Sequence, residues 1–575
     1  MFLRRKCRYK DGKAYYSWAL VESVRTERGP RQRIVSYLGD MDEAGRVGIH
    51  QAVEGDRSAQ GSLFGEEKAE WVEVNVRKVR TERSRRFGDV WLALELIKKL
   101  GLDKLFASVM PEIHPKIPWS TLASVLIISR FCEPSSELHI AESFYRKSAM
   151  PDLIGVGEED IYDNRLYRAL DKLLVHKDDL QKHLKERLGE LFHINYDILL
   201  YDVTSTYFEG EVTKNPQAER GYSRDSRPDC KQVCIGLVVT KEGIPLGYEV
   251  FEGNRHDSTT VEKIIEKMES LYGKADRVWI MDRGMASAEN LELLAEGNRH
   301  YIIGTAKSKL KKFEQQLLEE DWKKVHEGLE VKLCPSPQGG EEIFILCRSA
   351  ARKEKEQAIH NRFVERLEEG LKKVKKSCDS GRIKNLEAVG RRIGRLLERY
   401  NRASPLFDVN VKENEGKIDL TWTIHDTYSD WARQSEGCYL LRTNIKDWTP
   451  EDLWKAYIQL TEAEAAFRIH KQDLSLRPIW HQKEDRVKAH ILVCFLAYIL
   501  WKCLAQMCKH AGLGNEPRKI LEEIKNITLV DVVLLTRTGT EIKLRCITKP
   551  EQHLAILLHK LNLKPPERLE MKLKM

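Results

Sequence analysis

Glu464 is an acidic residue in a stretch whose pattern predicts burial. Residues 454–471 contain no Gly or Pro and are rich in Ala, Leu, Glu and Lys, and the preceding Thr449-Pro450-Glu-Asp is typical of a helix start. A single helix through this stretch has one stripe at steps of three and four, formed by Leu453, Tyr457, Leu460, Glu464, Phe467 and Lys471. We therefore expect Glu464 on the buried face and Glu462 in solvent. A buried carboxylate is costly unless it is paired or holds a metal.

Two aspartates lie in or at the end of predicted strands. Asp202 is in the middle of a run of apolar and β-branched residues that Gly210 closes, and Asp282 ends a second run just before Gly284. Both would meet Glu464 if its helix packs on the same sheet. Three converging carboxylates bind hard divalent cations, and two such ions assist in-line displacement at phosphorus. The sequence therefore predicts a carboxylate site for metal-dependent phosphoryl transfer.

The alternative interpretation is that the three acids are unrelated. An aspartate at a strand end is common, and Glu464 could simply pair with Lys471 or Arg468 on its own helix.

The order Asp, Asp, Glu on strand, strand and helix resembles that of the DDE transposases of bacterial insertion sequences. The spacing of Tyr457, Glu464 and Lys471 is similar to the Y-x2-R-x3-E-x6-K signature of one branch, with Leu460 at the position of its arginine. Further strings typical of this family lie at residues 222–232, 253–257, 282–284 and 477–481. Together the resemblance covers roughly residues 196 to 500.

The resemblance implies an enzyme that binds the ends of an insertion sequence and carries out cut-and-paste transposition. Water would attack the phosphodiester at the element's end, and the freed 3′-hydroxyl would then attack target DNA. Asp202, Asp282 and Glu464 would be the catalytic residues and the ligands of two Mg²⁺ ions, for which Mn²⁺ can substitute. The implied partners are double-stranded DNA, as terminal inverted repeats and target, and a second copy of the chain in a homodimer.

Four side chains are expected to contact DNA. By resemblance, Tyr457 and Lys471 lie near the cut, with Lys471 acting as a point charge on phosphate. Arg468 could substitute for the arginine missing at Leu460. Lys231 follows an Arg-Pro-Asp string and could reach the substrate, or it could be an ordinary edge-strand lysine.

Two further functions remain possible on the same residues. One is a ribonuclease-H-like nuclease that cuts DNA without strand transfer, and the other is an inactive, transposase-derived DNA-binding protein. The second is disfavoured because all three acids are present. His256 and His481 are expected to be structural, because this chemistry needs no histidine base.

The composition is compatible with a DNA partner inside the cell. Among 575 residues the net charge is +8 and 32% are charged, which fits a polyanion partner. Twelve cysteines without a CxxC pair favour reduced structural thiols over zinc. The chain has no apolar run near its start, and its longest one, residues 491–501, is about half a membrane span and predicts a core helix. We expect a cytoplasmic, nucleoid-associated bacterial protein with no membrane partner.

The expected fold is a multidomain α/β protein with a ribonuclease-H-like core. Its mixed five-stranded sheet has the chain order of three antiparallel strands, of which the second and third form a hairpin, then a crossover helix, a fourth strand, a helix and a fifth strand. An α+β insertion interrupts this core, and a basic β module and an all-α module precede it. The expected boundaries are 1–86 for the basic module with a linker at 40–70, and 87–195 for the all-α DNA-end-binding module. The two parts of the core are expected at 196–306 and 451–512, the insertion of strands plus a helical hairpin at 307–450, and a C-terminal hairpin and helix at 513–575.

Basic runs outside the core have two possible roles. Residues 71–80 alternate valine with polar residues and predict a strand, which leads into a run with six basic residues at 77–86. That run could contact phosphate or could be a solvated face, as could the lysine cluster at 372–376.

Overall fold

A computed structural model describes residues 2–10, 13–26, 29–39, 72–110, 117–383, 385–414, 417–425 and 430–569. The chain forms two compact units. Unit 1 comprises Met1–Ala275 and Thr461–Met575, and unit 2 comprises Asp276–Leu460. The predicted linker at residues 40–70 lies outside the described residues. The predicted domain boundaries stay a prediction.

Unit 1 begins with an antiparallel three-stranded sheet, in the part of the chain where a basic β module is predicted. Its strands are Phe2–Lys10, Lys13–Thr26 and Gly29–Gly39, with the second strand in the centre.

Helices fill the following stretch of unit 1, which confirms the predicted all-α pattern. The longer ones are Gly88–Lys99, Leu102–Val109, Trp119–Cys132, Asp163–Leu174 and Lys177–Phe192. Shorter helical segments are Glu137–His139, the π-helical Ile140–Phe144, Tyr145–Lys147 and Met150–Ile154.

The centre of this helical layer is the helix Glu484–His510, which contains the predicted core segment at residues 491–501. It packs against four of the longer helices. By length and composition the helix could cross a membrane, but its apolar window is completely buried inside the fold. The prediction of a core helix is confirmed.

The strand that carries Asp202 begins the sheet part of unit 1. Ile198–Tyr207, Gln232–Thr240 and Pro245–Glu252 are antiparallel neighbours, and Asp202 lies opposite Leu237. We refer to Ile198–Tyr207 as the Asp202 strand. The helix Val261–Tyr272 follows, so the predicted hairpin and crossover helix are confirmed.

Unit 2 begins with a parallel strand pair. Val278–Met281 pairs with His300–Thr305, and the helix Ala288–Glu296 connects them. The predicted chain order of three antiparallel strands, a helix, a strand, a helix and a fifth strand is therefore observed.

The insertion predicted at residues 307–450 has two parts. Some of its strands continue the sheet of unit 2, in the order Lys323–His326, Leu329–Pro335, Ile343–Ser349, Cys438–Thr443 and then His300–Thr305. The other part is a helical arm, Ala350–Asp379 and Leu386–Arg399, beside the strand pair Phe407–Asn414 and Lys417–Ile424. This arm has its own core, formed by Leu367, Leu371, Val389, Ile393 and Leu420. The predicted helical hairpin is confirmed.

The remaining helices and strands are twelve residues long or shorter. They are the helices Glu314–Leu318, Asp430–Ser435, Pro450–Ile458, Thr461–Gln472, Pro517–Ile524 and Gln552–Lys560, and the strands Arg80–Arg86, Thr528–Leu535 and Glu541–Ile547.

The strand predicted at residues 71–80 is wrong. Val76–Lys78 forms a 3₁₀ turn that the Asn75 side chain caps by accepting from the Arg77 backbone N–H, and Val76 is exposed. The strand is the basic run itself, Arg80–Arg86, which pairs with Thr528–Leu535 of the C-terminal hairpin. The alternation of valines predicted a strand with a buried face, but Val76 is exposed to solvent.

Arg85 in this run neither contacts solvent nor is free for phosphate. Its side chain is 4% exposed, and it donates to Asp531 Oδ1 at 2.8 Å and to Asp152. Arg545 contacts the same two carboxylates. Both alternatives offered by the sequence are therefore wrong for Arg85, which holds the C-terminal hairpin to the helical layer.

We expect Arg85→Gln to lower the free energy of unfolding by about 3 kcal/mol, because it leaves a buried carboxylate pair with too few cations. Urea unfolding measures this loss. The salt dependence of DNA affinity should stay unchanged, because Arg85 contacts no phosphate.

The matched control is Arg537→Gln in the turn of the same hairpin. Arg537 is 83% exposed and pairs with exposed Glu73, so its loss should cost at most about 0.5 kcal/mol. Equal stability of the two variants would contradict a structural role for the Arg85 cluster.

Candidate active site

The single helix predicted through residues 454–471 is two helices. Pro450–Ile458 begins at Thr449, whose side chain accepts from the Asp452 backbone N–H, as the sequence predicts. The helix tightens at Leu460, whose N–H donates to the Tyr457 carbonyl, and a new helix begins at Thr461. We call Thr461–Gln472 the Glu464 helix.

The break changes which face of the Glu464 helix is buried. Its buried residues are Ala463, Ala466, Phe467 and His470, at steps of three, one and three. Glu464 is exposed, so the prediction that it lies on the buried face is wrong. The predicted stripe assumed one continuous helix, and the turn at Gln459 and Leu460 resets its phase.

Glu462, predicted to lie in solvent, is half-buried beside Lys502 of the core helix. Its Oε2 lies 3.7 Å from Lys502 Nζ. Burial lowers the pKa of Lys502, and the neighbouring Glu462 opposes that shift. The hairpin turn closes over this pair, because a Cβ at Gly243 (φ +73°) would lie 2.7 Å from both charged groups. Glu462 therefore anchors the start of the helix.

The Glu464 helix packs on the Asp202 strand. It contacts the Asp202 strand, the strand Gln232–Thr240 and the core helix Glu484–His510, all within unit 1. Its buried face carries two alanines, so the helix can approach the sheet closely. Asp202 is half-buried on this strand. Two of the three predicted acids thus lie on elements that pack together.

Asp282 belongs to unit 2. It follows the buried strand Val278–Met281 and is exposed, at the start of the 3₁₀ turn Arg283–Met285. The strand ends in a polar turn here, as its sequence predicts.

Tyr457, the first residue of the family-like signature, lies near Asp282 in the same unit. Burial raises the pKa of Tyr457, and the Asp282 carboxylate raises it further. The Tyr457 hydroxyl lies against Gly304, where an added Cβ would come within 2.6 Å of it. Only glycine leaves room for this ring.

The other three predicted DNA contacts belong to unit 1 and differ in exposure. Arg468 is exposed on the Glu464 helix, and Lys231 is half-buried with its carbonyl accepting from the Phe208 backbone N–H. Lys471 is 11% exposed, and its Nζ donates to Asp225 Oδ1 at 2.8 Å. Burial lowers the pKa of Lys471, and Asp225 opposes that shift.

Sequence reasoning missed a group of charged residues around Lys471. Arg477 donates to the same Asp225 oxygen, and Arg224 Nη2 donates to both carboxylate oxygens of Asp257 at 2.5 Å. Each of these residues falls in one of the family-like strings, at residues 222–232, 253–257 and 477–481. The strings marked these positions, but nothing in the sequence indicated which would pair.

The two histidines considered as bases have structural surroundings. His481 Nε2 lies 3.5 Å from Glu137 Oε1. Burial raises the pKa of Glu137, but the hydrogen bond to His481 and the nearby charges outweigh burial, so the pKa is lowered. The His256 carbonyl accepts from Thr259 and precedes a 3₁₀ turn. The expectation that neither is a base stays a prediction.

Asp202, Asp282 and Glu464 each carry the carboxylate oxygens that hard divalent cations prefer as ligands, and each residue is at least partly exposed. Within the described ranges, no group of three His, Cys, Asp or Glu side chains is close enough together to hold a metal ion.

Comparison with known proteins gives two family matches. Residues 194–500 match the family described as Transposase DDE domain, and residues 3–63 match the IS1634 family transposase, N-terminal domain. No curated protein matches the chain. Among solved structures, the chain resembles a piggyBac transposase in a synaptic complex with hairpin DNA, at 8% identity and a TM-score of 0.36, covering 78% of this chain and 82% of that one.

The buried face of the Glu464 helix makes the stability of unit 1 dependent on pH. Burial lowers the pKa of His470 to about 4, below the ordinary value of 6.5. The folded protein therefore favours the neutral ring, and this stabilisation is complete above pH 6.5 and is lost as the pH falls towards 4. We expect the free energy of unfolding to drop by about 2 kcal/mol more in wild type than in His470→Gln between pH 7 and pH 5.

Urea unfolding at the two pH values measures this difference, and exposed His256→Gln is the control that should keep the wild-type pH dependence. The same pH dependence in His470→Gln and wild type would contradict the assignment.

Proposed function

This chain belongs to the DDE transposases and is the transposase of an insertion sequence, and we propose that Asp202, Asp282 and Glu464 are its catalytic carboxylates. Enzymes of this family cleave and join DNA and generally use divalent metal ions. The proposal extends these family properties to named residues, a named ion and a substrate.

The observation that carries the proposal is the packing of the Glu464 helix on the Asp202 strand. Two carboxylates that are 262 positions apart in the chain are brought onto neighbouring elements of one unit. Glu464 points away from the core, and a substrate or metal ion can therefore reach it. Asp282 lies in an exposed turn at the end of a buried strand, which leaves it equally accessible.

The three carboxylates would hold two Mg²⁺ ions, with Mn²⁺ as a substitute. Bound ions of this kind stabilise developing negative charge and lower the pKa of a coordinated water. The chain supplies ligands and orientation, and no protein nucleophile is needed. Water cleaves the phosphodiester at the element's end, and the released 3′-hydroxyl attacks a phosphodiester of the target DNA.

The core that carries these residues is proposed to be ribonuclease-H-like. The support is the chain order of three antiparallel strands, a helix, a strand, a helix and a fifth strand. The proposed substrates are the terminal inverted repeats and target DNA, which a homodimer holds as paired ends in the bacterial nucleoid.

Four residues are proposed to contact DNA. Arg468 is exposed beside Glu464 on the same helix and is the best placed to meet phosphate. Lys231 borders the Asp202 strand pair, and Tyr457 lies near Asp282. Lys471 would contribute through a charge that it shares with Asp225.

We expect Glu464→Gln to lower the rate of metal-dependent cleavage of a duplex carrying the element's end by more than about 100-fold, because even the outer partners of metal ligands cost 10–100-fold. DNA affinity should stay near wild type. Cleavage and strand joining are followed on a labelled duplex with Mg²⁺.

Glu462→Gln is the control on the same helix. It should cleave at the wild-type rate at a temperature where it is folded, although its melting temperature should fall because Lys502 loses its partner. Cleavage by Glu464→Gln would contradict the proposal. Cleavage by wild type without any joined product would favour a nuclease over a transposase.

We expect Arg468→Gln to weaken DNA binding several-fold and to reduce the salt slope of the affinity by about 1, because one phosphate contact is lost. Binding is measured at several salt concentrations. Arg391→Gln on the helical arm is a matched exposed control, and equal salt slopes for the two variants would remove Arg468 from the interface.

A further inference from the structure

Asp225 is a buried acid that lies outside the catalytic triad. Its side chain is 3% exposed, and Oδ1 accepts from Lys471 Nζ at 2.8 Å and from Arg477. Its second oxygen is buried and accepts no hydrogen bond from any described residue. A carboxylate in this environment is stable only while its cations stay in place. The geometry of the three side chains is therefore tightly constrained.

Asp225 joins the end of the Glu464 helix to the segment that follows it. Lys471 is seven residues after Glu464, about two helical turns along. Arg477 precedes a segment that is itself bonded to the end of the Asp202 strand, because the Ile479 N–H donates to the Tyr207 carbonyl at 3.0 Å and the Ile479 carbonyl accepts from Glu209 at 3.1 Å.

The loop that carries Asp225 is also fixed to the Asp202 strand. The backbone N–H of Arg224 donates to Ser205 Oγ at 3.3 Å, three residues after Asp202. The Arg224 side chain donates to Asp257, and the Asp257 carbonyl accepts from the Thr260 hydroxyl at 2.6 Å.

Thr260 completes the connection on the other side of Asp202. Its hydroxyl accepts from Tyr201, the residue directly before Asp202, at 2.7 Å. The loop is thus bonded directly to the strand at Ser205, after the proposed metal ligand, and is connected through Asp257 and Thr260 to Tyr201, before it.

We propose that Asp225 is a positioning residue that sets Glu464 relative to Asp202 by tying the end of the Glu464 helix to the loop fixed on the Asp202 strand. This inference rests on the proposed function of Asp202 and Glu464. Metal ligands must be held within about 0.5 Å of their productive geometry, and a misplacement of about 1 Å can cost about 100-fold in rate.

The charge state of Lys471 follows from the same contact. Its ammonium group and the Arg477 guanidinium share the single negative charge of Asp225, so Lys471 is not an unpaired point charge for phosphate. Asp225 could therefore act instead by weakening the affinity of the protein for DNA. The experiment must separate this role from the positioning of Glu464.

The test compares wild type with Asp225→Asn by hydrogen exchange of peptides from residues 461–472, without DNA or metal. We expect the helix to lose about tenfold of its protection, because the amide cannot hold two cations. In single-turnover cleavage at saturating DNA, the rate should fall at least about tenfold, and half-maximal cleavage should need several-fold more Mg²⁺. DNA affinity should stay within about threefold. Asp225→Glu, which keeps the charge, should recover part of both losses.

Asp229→Asn is the matched control. Asp229 lies four residues away in the same loop, is 63% exposed and pairs with Arg227. It should leave both helix protection and the cleavage rate unchanged. A rate loss of the same size in Asp229→Asn would overturn the specific role of Asp225.

Two outcomes for Asp225→Asn would overturn the proposal. One is unchanged helix protection with an unchanged rate at saturating DNA. The other is DNA affinity more than about threefold tighter with a wild-type rate, which would show that Asp225 weakens DNA binding and does not position Glu464. If Asp225→Asn does not fold, Arg477→Gln replaces it and should lower helix protection by a smaller amount, and unchanged protection would again overturn the proposal.

Failure of the proposed function gives a different result. If Glu464→Gln still cleaves DNA, the catalytic assignment is wrong whatever Asp225 does. The exchange measurement needs neither metal nor cleavage, so it reports on the tie between helix and loop independently.

Discussion

The close approach of the Glu464 helix to the Asp202 strand is the constraint on which the rest of unit 1 depends. The buried face of the helix includes Ala463 and Ala466, and such small side chains let a helix pack close to its neighbours. Because this face is buried, Glu464 is turned outward. A larger residue at either alanine would move the helix away from the sheet and would move Glu464 with it.

Charge pairs fix both ends of that helix. Glu462 in its first turn lies beside Lys502, and Lys471 in its last turn donates to Asp225. Each charge also has the sign that the helix dipole favours at its end. The apolar face therefore buries the helix against its neighbours, and of the two ion pairs the one between Lys471 and Asp225 is the more deeply buried.

The sequence identified the elements better than their faces. Strands around Asp202 and Asp282 and the helical arm follow from local patterns, which depend on neighbouring residues only. The burial of Glu464 was wrong because the helix break at Leu460 depends on tertiary packing. The pairing of Lys471 with Asp225 joins residues 246 positions apart, and no local pattern encodes such a contact.

The position of Leu460 shows that the family-like signature does not describe one face of a single helix. It is buried in the turn between two helices, and an arginine there would need a route for its charge to reach solvent or a partner. The helix that ends after Tyr457 belongs to unit 2, and the helix of Glu464 belongs to unit 1. The signature spacing is therefore a distance along the chain and not a stripe on one helix. A basic residue that takes the place of the missing arginine must therefore lie near Glu464 in space. Arg468 lies near it, because it is exposed one turn further along the same helix.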